Sequence, residues 1–326
     1  WCDFFDENFQ VLYNDVNNHE NGAFNVFFSS PQSIDAPIFI FHHGAGSGAL
    51  SFALLVKRLQ GLMKREKETS AIAFDARGHG ATTLGNNVPE ATIDYSLDTL
   101  TEDFLFLLSS VAKRQKWDEL ASPPKLIFVG HSLGGAVVTN AALKLKQAGL
   151  VSLSSSSVFR NIIGLVVLDV VEGSAIEALQ SMNQILSTRP AKFDNINDAI
   201  EWHLRTRTLR NKESASVSVP GILKPIIEGS IPSKSLTWIT DLKKTEQFWK
   251  QWFFGLSSKF LQAPAAKLLI LAGTDRLDKD LMIGQMQGKY QLIVFQDSGH
   301  FLHEDNPTKT ALALIDFFKR NDRSGI

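Results

Sequence analysis

Short apolar runs alternate with longer segments of helical periodicity along most of this chain. Phe9 to Tyr13 and Ala23 to Phe28 are β-prone runs separated by the polar stretch Asn14 to Gly22, which predicts an antiparallel hairpin at a sheet edge. Ile38 to Phe41, Ala71 to Phe74, Lys125 to Val129 and Ile162 to Leu168 have the unbroken apolar character of strands buried on both faces. Between them, Phe52, Leu55, Val56, Leu59 and Met63 recur at helical spacing, as do Leu97, Leu100, Phe104, Leu107, Leu108 and Val111. Ser96 is placed to cap the second of these helices, with Asp98 in its first turn. A third helix is expected from Ser174, where Ile176, Leu179, Met182, Ile185 and Leu186 keep the same period. Alternation of this kind predicts an α/β fold with a mostly parallel central sheet and helices on both faces.

From about Ser187 to Gln262 the rhythm stops. The segment is helical in pattern and rich in rings, among them Trp202, Trp238, Trp249, Trp252 and Phe253. It is expected to be a helical cap inserted into the sheet's connectivity, which divides the chain into a first core part (1–186), a cap (187–262) and a second core part (263–326). Most rings should be cap core, since pairs four residues apart pack helices in any protein. Gly229 to Ser235 reads as a linker inside the cap. Strand signals return at Lys267 to Leu271 and Gln291 to Phe295, around a short helix near Leu281 to Met286. Pro307 opens a last helix with Ala311, Leu312, Leu314, Ile315 and Phe318 turned inward.

Composition narrows the class. The 326 residues are 44% apolar and 21% charged, close to globular averages, so disordered and fibrous classes are excluded. A net charge of -1 supplies no long-range field for nucleic acid or an anionic membrane. Cys2 is the only cysteine, which rules out an internal disulfide and a thiolate metal site and points to a reducing, intracellular compartment, cytoplasmic and nuclear. No apolar run is long enough to span a membrane and no signal peptide opens the chain; the natural start is expected to lie upstream of Trp1. No metal-ligand set is evident, so neither metal nor cofactor is expected.

The chemistry begins at Gly130-His131-Ser132-Leu133-Gly134. An apolar strand runs into this Gly-x-Ser-x-Gly pattern and a helical segment follows it, the arrangement of a nucleophile elbow. The flanking glycines give a serine room at the apex of a strained turn, and the helix start aims the Leu133 N–H at charge developing beside it. His43-Gly44-Ala45-Gly46, after an earlier strand, matches a His-Gly-Gly-Gly oxyanion loop with alanine at the middle glycine, making the Ala45 N–H the second donor. Its glycines are spaced Gly-x-Gly-x-Gly, which does not fit a dinucleotide site. Arg77 and His79, in the turn after Phe74, are expected to hold loops by hydrogen bonding. His300 follows the last strand beside Gly299 and is the candidate base, with His303 a nearby decoy. Two aspartates stand at strand ends. Asp275, after the next-to-last strand, is the usual place for the acid, and Asp169 lies one strand earlier. Serine, acid and histidine in that order along an alternating chain resemble the α/β-hydrolases.

A narrower resemblance rests on longer strings. Asp169-Val170-Val171-Glu172-Gly173, Ala199-Ile200-Glu201-Trp202, Leu271 to Asp280, and Ile283-Gly284-Gln285-Met286-Gln287-Gly288-Lys289 are similar to the protein phosphatase methylesterases, over nearly the whole chain from the His43 loop onward. The resemblance implies that Asp169 is the acid, with Asp275 as fallback or as an organiser of its own loop. It implies a serine carboxylesterase that removes the methyl ester from the C-terminal leucine of type 2A protein phosphatase catalytic subunits, meeting the tail and the phosphatase's active-site face. Gln285 and Met286 become the first candidates for the docking surface, against the alternative that Met286 is core. Two further readings stay open: a small-molecule or lipase-like esterase, and a phosphatase-binding regulator with a vestigial site. Members of the family can carry a long acidic insert in the cap, whereas Gly229 to Trp238 is short and not acidic.

Overall fold

The structure, a computed structural model, describes residues 1–15, 20–31, 36–63, 69–85, 92–120, 122–151, 157–228, 231–273 and 277–322. In chain order the first elements are β1 (Glu7–Asp15), β2 (Glu20–Ser29), β3 (Pro37–His42), α1 (Ala53–Leu62), β4 (Ser70–Phe74), α2 (Leu97–Arg114), β5 (Lys125–His131), α3 (Leu133–Gln147), β6 (Ile162–Leu168) and α4 (Glu172–Ser187). Then come α5 (Ile196–Arg205), α6 (Lys212–Ser218), β7 (Leu223–Glu228), β8 (Ile231–Trp238), α7 (Glu246–Phe253) and α8 (Leu256–Gln262). The chain closes with β9 (Ala266–Ala272), α9 (Lys279–Met286), β10 (Gln291–Phe295), α10 (Leu302–Asp305) and α11 (Pro307–Asn321).

Eight strands form one sheet in the order β1-β2-β4-β3-β5-β6-β9-β10. The β1–β2 and β2–β4 pairs are antiparallel and all the others are parallel. The hairpin expected at the sheet edge is thus present. Strand pleating explains why the central strands read as unbroken apolar runs: successive side chains point to opposite faces, and both faces are covered. In β3, Ile38 and Ile40 join Phe104 of α2 and Val137 and Ala141 of α3. Phe39 and Phe41 turn the other way, against Phe52, with Leu55 and Leu59 of α1 and Leu314 and Phe317 of α11. Ser96 caps α2 as its sequence suggests, accepting the Thr99 N–H.

Three details depart from the sequence pattern. The segment between β6 and β9 contains an antiparallel hairpin, β7–β8, where helix and linker were expected. Residues 229 and 230 of that linker lie outside the described residues, and Ser233 to Ser235 are part of β8. Pro225 and Pro232 disguise these strands; both sit in a two-stranded ribbon, where every strand is an edge and proline is tolerated. The rings of the segment also divide between two cores. Trp249, Trp252, Phe253 and Phe260 join the α2–α3 side of the main core, while Phe193, Ala199, Leu209, Ala215, Val219 and Leu223 form a small one of their own. Finally, Leu312 is half exposed on α11 rather than inward.

Candidate active site

Strands β3, β5 and β6 end on one edge of the sheet, and their loops meet there with the loop after β10, at the position where open α/β sheets bind ligands. Ser132 stands between β5 and α3 at φ 52°, ψ -121°, a conformation costly for any residue with a Cβ. Its neighbours enforce the turn. A Cβ on Gly130 would lie 2.2 Å from the Gly134 carbonyl oxygen, and one on Gly134 would lie 2.1 Å from the carbonyl oxygen of His42. Only glycine fits either place. The Ser132 N–H donates to Leu168 O at 3.0 Å, which ties the elbow to the end of β6.

The next residue is Asp169, held at φ 52° and buried. Its carboxylate is engaged on both oxygens: Oδ1 accepts the Ala272 N–H at 2.6 Å and Oδ2 lies 2.8 Å from His300 Nδ1. An aspartate in this position fixes the imidazole as the tautomer protonated on Nδ1, leaving Nε2 as the proton acceptor. The His300 ring is half exposed, so it is open to a reactant. Its backbone is held too, since His131 Nε2 lies 2.8 Å from the His300 carbonyl oxygen. Sequence reading passed over His131, whose partner is 169 residues away. Asp275 lies outside the described residues.

The His43 loop packs directly on the elbow, because a Cβ on Gly44 would come within 3.0 Å of Ser132 Cβ. Gly46 takes φ 72°, whereas Ala45 avoids the left-handed region, so alanine in place of the middle glycine costs nothing in backbone strain. Neither the Ala45 N–H nor the Leu133 N–H donates a hydrogen bond among the described residues. Two buried histidines brace the loop. His79 Nε2 accepts the Gly46 N–H at 2.9 Å while its Nδ1 donates to Arg77 O. His43 Nε2 accepts the Ala76 N–H at 2.9 Å while its Nδ1 donates to Gly44 O. Burial, with a smaller contribution from neighbouring imidazoles, lowers both pKa values to about 3, so both act as neutral acceptors. Arg77 pairs through two nitrogens with Asp103, each at 2.7 Å. His303 is fully buried and stacks on Phe52 at 4.6 Å, which removes it as a base.

An alpha/beta hydrolase family model matches residues 39–313. The chain is 50% identical to protein phosphatase methylesterase 1 of Yarrowia lipolytica, over 99% of this chain and 73% of that one. It is 49% identical to protein phosphatase methylesterase 1 of Emericella nidulans, over 92% and 71%. The chain belongs to the protein phosphatase methylesterase family. Among solved structures, E-2-(acetamidomethylene)succinate hydrolase superposes with a TM-score of 0.67 at 18% identity, covering 96% of this chain and all of the other, which speaks to the fold alone. As a methylesterase family member, the protein is a carboxylic ester hydrolase.

The strings that mark the methylesterases have structural work around the site. In the Asp169 to Gly173 string, Glu172 opens α4 and accepts the Gly255 and Ser257 N–H groups at 2.8 and 3.1 Å, clamping the start of α8. Asp278 caps α9 by accepting the Leu281 N–H at 3.0 Å and also accepts the Ser257 hydroxyl. That helix exposes Met282, Ile283, Gln285 and Met286; Met286 is 89% exposed, which excludes the core alternative for it. Among the described residues, no group of three or more His, Cys, Asp or Glu could hold a metal ion, and no helix is long and apolar enough to cross a membrane.

Proposed function

We propose that Ser132, His300 and Asp169 form the catalytic triad of this esterase, and that its substrate is the methyl ester on the C-terminal leucine of a type 2A protein phosphatase catalytic subunit. The observation that carries the mechanism is the Asp169–His300 hydrogen bond at 2.8 Å beside a serine presented on a strained elbow. Ser132 Oγ attacks the ester carbonyl as His300 Nε2 takes its proton. The negative charge moves to the carbonyl oxygen, where the free N–H groups of Ala45 and Leu133 receive it. Methanol leaves with the proton from His300, and water, activated by the same ring, hydrolyses the acyl-enzyme to a carboxylate. A lost oxyanion donor typically costs about 2.7–4 kcal/mol, so the bracing of the Ala45 loop by His79 and His43 belongs to the mechanism as much as the triad does.

The relatives' printed name supports a protein phosphatase as substrate and partner. Methanol offers few atoms for recognition, so selectivity falls to the peptide and the folded protein. Residues 187–262 serve as the cap between core parts 1–186 and 263–326, and the exposed Gln285 and Met286 face of α9 serves as the docking surface. The single cysteine, Cys2, supports an intracellular setting. The cap rings Phe193, Trp202 and Trp238 pack edge to face on one another, with centroids 5.5–6.0 Å apart, rather than lining a lipid tunnel.

Methanol release from methylated phosphatase and from its C-terminal peptide tests the reading. Ser132→Ala should abolish it on both; retained turnover would sink the mechanism. Faster hydrolysis of free short-chain esters than of the methylated phosphatase would sink the protein-substrate assignment.

A further inference from the structure

A cavity of about 50 Å³ opens beside the Ala45–Ser47 loop. Phe301, the neighbour of His300, forms another wall; with the Ser47, Thr208 and Ser218 hydroxyls also in the lining, Arg189, His203 and Glu304 supply the titratable groups. None of these three belongs to the mechanism above.

Among the described residues, Arg189 is a cation without a counterion. Its guanidinium carbon sits 4.0 Å from the centre of the Trp238 ring, which covers one face of the group. No carboxylate pairs with it among the described residues, and burial alone, unopposed by an acidic neighbour, lowers its pKa to about 10. Stacking on an aromatic face recovers part of the cost of desolvating a cation but leaves the in-plane N–H donors unused. Arg189 is only partly exposed, and a partly desolvated charge with no acidic neighbour is a place where a ligand can supply the opposite charge.

Glu304 adds a second donor. It is 2% exposed, and its Oε2 has no hydrogen-bond partner among the described residues. Burial, with a smaller push from Asp305, raises its pKa to about 8, against a weaker opposing pull from the Ser218 hydroxyl. The group is therefore a protonated acid at neutral pH, able to donate. His203 stays neutral: burial, followed by the nearby Arg189, lowers its pKa to about 4 against its bond to Ala199 O. A guanidinium fork and a carboxylic acid around one small space match the two oxygens of a carboxylate.

We infer that this cavity is a subsite for a carboxylate on the substrate, an acidic side chain close to the esterified terminus, with Arg189 supplying the charge and Glu304 a second donor. The inference rests on the esterase reading, because the loop proposed to hold the ester oxygen forms one wall of the cavity.

Acetylated peptides ending in leucine methyl ester, with Glu or Gln placed one, two or three residues before the leucine, provide the probes. Each is measured for methanol release and as a competitive inhibitor of 4-nitrophenyl acetate hydrolysis. At one of the three positions the Glu peptide should exceed its Gln partner about tenfold in kcat/KM and in inhibition, the increment of one charge-assisted hydrogen bond. Arg189→Met should erase that ratio and Arg189→Lys should keep part of it, with thermal melting showing that each variant is folded. Equal Glu and Gln peptides in the wild type, a comparison that needs no variant, would overturn the subsite, and so would a Glu preference that survives in folded Arg189→Met. Glu-selective inhibition without methanol release would uphold the subsite and remove the demethylase reading. Methanol release with no Glu preference would do the reverse.

Discussion

His79 Nε2 accepts the Gly46 N–H at 2.9 Å, so a side chain from the turn after β4 sets the backbone of the loop after β3, next to the proposed oxyanion donor Ala45. Replacing His79 by leucine removes the acceptor while roughly filling the space. We expect kcat to fall about tenfold with KM little changed, less than the loss of a whole oxyanion donor because the Ala45 N–H survives in a looser loop. His79→Gln, which keeps an acceptor, should recover part of the rate. Steady-state kinetics on the methylated peptide decide it, and an unaltered kcat in His79→Leu would remove His79 from the catalytic framework.

Asp169→Asn should lower kcat by about 10³–10⁴-fold, since an amide no longer enforces the Nδ1-protonated tautomer of His300. The Ala272 N–H can still donate to the amide oxygen, so the melting temperature should move little. Asp275→Asn should be nearly silent. The opposite pattern, measured on the same methylated peptide, would transfer the acid role to Asp275.

Stability should depend on pH with a defined sign. Burial lowers the pKa of His43, His79 and His303 to about 3 and of His42 and His203 to about 4. Below the unfolded value of 6.5 the unfolded chain binds protons that the folded chain refuses, so stability is complete above that pH and is lost as pH falls. Each such histidine costs stability as pH falls below 6.5, and their effects run in the same direction. Glu304 works the other way: with its pKa raised from 4.5 to about 8, its contribution is lost as pH rises between those values. Thermal melts from pH 4.5 to 8.5 should therefore peak close to neutrality, and Glu304→Gln should flatten the alkaline decline. A wild-type melting temperature that stays level down to pH 4.5 would contradict this.

Met286→Asp should leave folding unchanged, because its side chain touches mostly solvent. If α9 is the docking face, the variant raises KM for the whole methylated phosphatase about tenfold, while KM for the C-terminal peptide stays as in the wild type. An equal effect on both substrates would place Met286 in the peptide site instead, and no effect on either would remove α9 from the interface.

Much of this architecture was legible residue by residue. Two-face burial makes Ile38 to Phe41 an unbroken apolar run, and the helical period of Leu97 to Val111 survives intact in α2. Ser132 and His300 are candidates from sequence because an elbow needs glycines at fixed offsets and because a base is expected after the last strand. The choice of Asp169 over Asp275 came from resemblance, since periodicity puts an aspartate at the end of each candidate strand. The β7–β8 ribbon was missed because Pro225 and Pro232 interrupt any strand signal. Trp249 and Trp252 read as cap core, yet they pack on the main core, because helical spacing shows that a face is apolar without showing what covers it.

By itself, the sequence determined the alternation of core strands and helices, the elbow and the family, because these depend on steric limits and spacings within a few residues. Tertiary structure alone decided the rest. Asp169 meets His300 across 131 residues, His79 reaches Gly46 across 33, and Arg189 and Glu304 come to share one cavity. Such pairings depend on which strand ends lie side by side in the sheet. Strand order is a product of long-range packing, and local spacing carries no record of it.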